Sequence, residues 1–258
     1  MATSTKRPGD VAYLLPLFDA VTPYRAEGHF RQLPEPAPRS SLATDDSPLK
    51  HYAGNHLIRT SFAAGLFHVD ALRRLVTDSG QIDPSSPWTL LRGALENFAT
   101  AVWLLSGKDR SERRTRALAL WDEDMRNRGQ HERDVQHVVT GQGKSGAERR
   151  QEIEQLATAL SLTPLPSPKA GAIIEAAAKE AGLNPVRVRA SWRVASGFAH
   201  GRFWPNLRAA EARGAIPTAD GYLVAMVIND DELERLAKAC LKLLEHAEGR
   251  YAARNSVI

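Results

Sequence analysis

Cysteine is almost missing from this chain of 258 residues; Cys240 is the single one. A lone thiol excludes an internal disulfide and any zinc site built on cysteines. Its place on the apolar side of a predicted helix reads as a buried, inert side chain and not as a nucleophile. Long hydrophobic runs are missing too. No stretch approaches the roughly 20 unbroken apolar residues of a membrane-spanning helix, so no membrane association is expected. The first ten residues, Met1 to Asp10, are polar, and the apolar run from Val11 to Phe18 is short and interrupted by Pro16. That makes a poor secretory signal and points to a cytoplasmic protein. Metal-ligand spacing is absent as well. A di-iron bundle requires paired Glu-x-x-His units, and the chain has none. Asp134-x-x-His137 comes nearest, on a helix whose Asp122, Glu123, Asp124 and His131 read as a solvated face. Neither a metal nor a cofactor is called for.

What the chain does have is arginine, 26 against 8 lysines, with a net charge of +4. A GC-rich coding sequence accounts for the overall bias, so local clustering carries more information than the total. Hydrophobic residues make up 43%, enough for a substantial core.

Proline divides the chain. Pro8, Pro16, Pro23, Pro34, Pro36 and Pro38 fall within residues 1–47, and the tight spacing from 34 to 38 excludes a helix there. A short helix fits Val11–Ala20; the rest of 1–47 reads as an arm. Residues 48–258 read as one helical domain. Ser47-Pro48 has the pattern of an N-cap with proline at the first helical position, opening a helix to about Thr77. Ser86-Pro87 repeats it and opens a helix to Ser106-Gly107. A charged helix is predicted over 109–139, with Ala117, Trp121, Met125, Val135 and Val138 as its apolar stripe. Shorter helices follow at 147–160 and 168–181, then one from Asn184-Pro185 to Gly201. The last starts near Asp230, with Leu233, Leu236, Ala237, Cys240, Leu243, Leu244, Ala247 and Tyr251 at helical spacing. Tyr222–Ile228 is apolar enough for a strand, but no second strand is evident to pair with it. The fold class is therefore all-α, an antiparallel bundle of about six or seven helices with a proline-rich N-terminal arm.

Three constellations remain. Gly141-Gln-Gly-Lys-Ser-Gly146 lacks the spacing and the preceding strand of a phosphate-binding loop and reads as a plain loop. Arg92 and Glu96 stand at i and i+4 on an otherwise apolar helix, where their side chains can meet. They read as a buried ion pair or, alternatively, as the polar floor of a ligand pocket. The segment Pro185–His200 is the most informative. At about 100° per residue, Arg189, Arg193, Ser196, Gly197 and His200 share an arc of roughly 100°. Val188, Trp192, Val194, Ala195, Phe198 and Ala199 take the other side. Between 181 and 219 there are six arginines (187, 189, 193, 202, 208, 213) and one acid, Glu211. Trp192, Phe198, Phe203 and Trp204 are interleaved. Such a patch suits phosphates.

Arg193-x6-His200, late in a helical chain, resembles the Arg-x4–6-His signature of the HEPN superfamily. The wider pattern Leu91-Arg92-Gly-Ala-Leu-Glu96 with Ser196-Gly-Phe-Ala-His200-Gly201 is similar to uncharacterised bacterial helical proteins often grouped near it. The likeness spans roughly residues 48–250. It implies a homodimer with arginine and histidine facing each other across the interface, and RNA cleavage without metal by the substrate's own 2′-OH. On that resemblance His200 assists proton transfer, Arg193 stabilises the charged transition state, Ser196 completes the group, and Arg189, Arg202, Arg92 and Glu96 contact substrate. Two readings of other classes stand beside it. One is a non-catalytic binding protein in which Arg193, Ser196 and His200 are structural or contact a ligand. The other is a small-molecule enzyme using a pocket floored by Arg92 and Glu96.

Overall fold

The computed structural model describes residues 8–26, 29–78, 82–136, 143–163, 166, 168–219 and 221–256. The fold is an all-α bundle, as the periodicity predicts. Among the described residues there are ten α-helices: α1 (Leu15–Val21), α2 (Ser41–Asp46), α3 (Gly54–Asp78), α4 (Ser86–Leu105), α5 (Arg110–Asp134), α6 (Gly146–Ala159), α7 (Ala170–Glu180), α8 (Pro185–Ala199), α9 (Asn206–Ala209) and α10 (Asp230–Asn255). Two antiparallel strand pairs accompany them, β1 (Arg25–Ala26) with β2 (His29–Phe30), and β3 (Ala210–Thr218) with β4 (Gly221–Ile228). No described helix is long and apolar enough to cross a membrane.

Helix α4 is the axis of the bundle because its sequence is apolar nearly all round. Trp88, Leu91, Leu95, Phe98 and Val102 are wholly buried, and α3, α5, α7, α8 and α10 all pack on it. Such a helix is stable only when surrounded. Cys240 lies inside this core, its Sγ 3.5 Å from the carbonyl of Leu91. Burial pushes the thiol well above its ordinary range, which makes it inert.

The N-terminal segment joins the same core through Val11, Leu14, Leu17, Phe18 and Val21. A 3-10 turn over Pro8–Leu14 precedes α1 where one helix over Val11–Ala20 is predicted. The proline stretch is held by side chains from the bundle: Tyr251 donates to the Pro34 carbonyl at 2.5 Å, Arg59 Nε to the Leu33 carbonyl at 2.9 Å, and Asn255 accepts from the Ala37 N–H at 2.6 Å. Asp70, itself buried, gathers Arg25, Arg73 and Arg74 within 3.2 Å and ties β1 to α3.

The structure differs from the sequence reading first at the start of the long helix. Ser47-Pro48 opens a 3-10 turn over Ser47–Tyr52 and not the long helix, which begins at Gly54. The cap is Asp46, whose carboxylate accepts from the N–H groups of Gly54 at 2.7 Å and Asn55 at 3.1 Å. Between them Lys50 sits at φ 55°, ψ −118°, a conformation that costs a non-glycine residue about 1–3 kcal/mol. The second difference is the strand. β4 does have a partner, β3, in the register Ala210↔Ile228 to Thr218↔Gly221, with an irregularity between Arg213 and Ala215. Among the described residues, β3 and β4 pack chiefly on each other and, through β3, on the short α9. The expected apolar stripe of α5 holds at Ala117 and Met125, whereas Val135 is past the helix end and 54% exposed. Val138 and His137 lie outside the described residues.

Candidate functional site

Helix α8 is fixed at both ends by local chemistry. Asn184 accepts from the Arg187 N–H at 3.1 Å, and Pro185 occupies the first turn, where its missing N–H costs nothing. At the other end Gly201 takes φ +61°. Its N–H reaches the Phe198 carbonyl at 3.0 Å, while that of Arg202 reaches Gly197 at 2.8 Å. This pair of bonds is a Schellman motif, with His200 as the C-cap residue. His200 is thereby held at the tip of the helix with its side chain exposed.

The chain then folds back over the helix. A Cβ on Gly197 would lie 2.3 Å from Pro205 Cγ and 3.2 Å from Trp204 Cζ2, so only glycine lets this turn approach. Gly197 is therefore buried under Pro205 and Trp204, although the helical arc places it beside Arg193 and His200. Phe198, on the inner side, stacks on Trp88 of α4 with centroids 5.1 Å apart.

Between α8, the 201–209 turn and the start of α10 runs a cleft of about 810 Å³. Arg187 and Arg193 come from α8, Trp204 and Arg208 from the turn and α9, Glu232 and Arg235 from α10. Glu232 is paired with Arg235. Arg187, Arg193 and Arg208 are exposed, and their guanidiniums make no ion pair or hydrogen bond among the described residues. Beside them Trp204 is 43% exposed, Phe203 63% and Leu207 70%. Free guanidiniums next to open aromatic rings are the equipment of a surface that holds phosphates and stacks bases.

Ser196 is half-buried on the stripe between Arg193 and His200, and Arg202 is exposed just beyond the helix. Neither they nor His200 wall the cleft. Arg189 is engaged by Glu175 of α7 at 2.7 Å. Arg92 and Glu96 do meet, with Arg92 Nε 3.0 Å from Glu96 Oε1, though the Nε–H is not aimed at that oxygen and finds no acceptor. Glu96 Oε1 instead accepts the indole N–H of Trp192 at 2.6 Å. The Trp192–Glu96 bond thus fastens α8 to α4 from beneath, away from the cleft.

Glu232 and Arg235 escaped the sequence reading, since nothing local ties the first turn of α10 to a helix some 40 residues earlier. Arg187 and Arg208 entered it only as part of the charge count, and their convergence depends on the turn at Gly201. Among the described residues no three His, Cys, Asp or Glu side chains gather as a metal site would require.

Comparison with known proteins adds no identity. No protein-family model matches the chain, and neither a curated protein nor a solved structure does.

Proposed function

We propose that the chain is a HEPN-like ribonuclease, acting without metal at Arg193 and His200 on the outer stripe of α8. The observation that carries this reading is the exposure of both side chains on one helix face. Around them Arg187, Arg202 and Arg208 lack anionic partners among the described residues. RNA supplies what such a surface lacks, phosphates for the guanidiniums and bases for Trp204.

The chemistry asked of the site is transesterification. The substrate 2′-oxygen bonds to the adjacent phosphorus as the 5′-oxygen leaves. One proton is taken from the 2′-OH and one given to the leaving oxygen. His200, exposed at the helix tip, serves the proton transfer, and Arg193 serves the negative charge that grows on the phosphate oxygens. Ser196 lies between them as a hydroxyl donor. Arg193 and His200 are two turns apart, about 10.5 Å along the axis. The resemblance sets such groups of two copies facing each other, so the reading includes a homodimer in which the α8 helices of two copies meet. A cytoplasmic location goes with it.

A second reading is favoured by a specific observation. Arg193 lines the cleft with Arg187, Arg208 and Trp204, and His200 does not. In that version the cleft binds an anionic partner and no bond is broken. Incubating a mixed RNA pool with the protein in excess chelator separates the two. Cleavage by wild type, lost in a folded Arg193→Ala/His200→Ala variant, is the result expected of the ribonuclease. RNA binding without cleavage is the result of the second reading.

A further inference from the structure

A second pocket lies between α5 and α6, walled by residues that the proposed ribonuclease does not use. Its volume is about 130 Å³. Leu118 and Ala119 of α5, Ile153 and Ala157 of α6, and Leu162 just beyond α6 form apolar walls, none of them more than 8% exposed. The pocket opens to solvent at its rim, so a guest that enters it takes apolar wall area out of water, which is favourable. An apolar cavity of about 150 Å³ takes a benzene-sized guest, which sets the scale of what fits.

The rim decides the polarity of the guest. Asp122 and Arg150 are joined through both carboxylate oxygens, at 2.8 and 3.1 Å, so neither charge is left to recruit a ligand ion. Glu154 is exposed at the rim and forms no salt bridge among the described residues, which disfavours a carboxylate there. Thr115 also walls the pocket. It is buried, and its hydroxyl makes no hydrogen bond among the described residues. Such a hydroxyl can both donate to and accept from a guest.

We propose that this pocket is a binding site for a small uncharged ring compound bearing one hydroxyl, with phenol as its simplest representative. The ring fills the space between Leu118, Ile153 and Leu162, and its hydroxyl pairs with that of Thr115. Thermal unfolding of the full chain with phenol, benzene and benzoate as probes tests it. Phenol and benzene are expected to raise Tm and benzoate to leave it unchanged. Phenol should bind about fivefold more tightly than benzene, the factor one ordinary hydrogen bond provides. Thr115→Val keeps the benzene shift and removes the preference for phenol. Ala157→Leu, whose added carbons occupy the pocket, abolishes both shifts. If that variant does not fold, nuclear Overhauser contacts from phenol to the methyls of Leu118, Ile153 and Leu162 in wild type decide the same point. The absence of a phenol shift, a shift that survives in folded Ala157→Leu, or contacts confined to other residues overturns the proposal.

Discussion

Trp192 donates its indole N–H to Glu96 Oε1 at 2.6 Å across 96 residues of sequence. This bond, with Arg92 3.0 Å from the same oxygen, sets the rotation of α8 on α4 and so decides which face carries Arg193 and His200. Replacing Glu96 by alanine leaves a half-buried indole N–H without its acceptor and Arg92 without its counter-charge. A loss of about 1–3 kcal/mol is expected, measured by urea unfolding. Trp192→Phe also removes the hydrogen bond but keeps most of the ring's packing and leaves Arg92 its carboxylate, so it should cost less. Equal stability of Glu96→Ala and wild type would contradict this role.

Gly197→Ala tests the fold-back of the turn. The new methyl would fall 2.3 Å from Pro205 Cγ, and overpacking of this kind costs about 1–3 kcal/mol. Because Trp204 rides on the same turn, RNA affinity should drop together with Tm. Unchanged affinity in a destabilised variant would separate Trp204 from binding.

Salt dependence reads out the three free arginines of the cleft. If Arg187, Arg193 and Arg208 each neutralise one phosphate of a single strand, log K should fall with log salt at a slope of roughly −2 from these three alone. Arg208→Ala should make that slope shallower by about 0.7. Arg189→Ala should change it less, since Glu175 already compensates Arg189. Equal effects of the two variants would argue against the cleft as the path of the strand.

His68 gives the fold a pH dependence. Its ring lies so close to α4 that a Cβ on Gly93 would be 2.6 Å from it. Burial pulls its pKa below the ordinary 6.5, and the nearby Glu96 carboxylate offsets only part of this. The unfolded chain thus takes up this proton at higher pH than the folded one. Stability is expected to fall as pH drops through 6.5 and to level off below the folded value. His246 is shifted in the same direction by burial and by Arg250, so His68→Gln should flatten the decline only in part. A decline equally steep in His68→Gln would exclude His68 as a source.

Much of this arrangement can be read from sequence where the determining chemistry is local. Asn184-Pro185 and Gly201 mark the ends of α8 because a cap, a fixed φ and a positive φ act within a few residues. The start of α3 misleads for the opposite reason. Ser47-Pro48 has the right pattern, but Asp46 reaches eight residues ahead to cap Gly54. Strand β3 is hidden because Arg213-Gly214 and Pro217 break its alternation, and only pairing with β4 makes it a strand. The same limit applies to the site. The stripe of Arg193, Ser196 and His200 follows from helical periodicity. The engagement of Arg189 by Glu175 and the arrival of Glu232 and Arg235 depend on helices far away in the chain.

The most direct test of the ribonuclease reading is end-group analysis of RNA incubated with the protein in excess chelator. Wild type is predicted to leave 2′,3′-cyclic phosphate and 5′-hydroxyl ends, and a folded Arg193→Ala/His200→Ala variant to leave the RNA intact. Absence of cleavage, cleavage undiminished in that variant, or ends of another kind would contradict it.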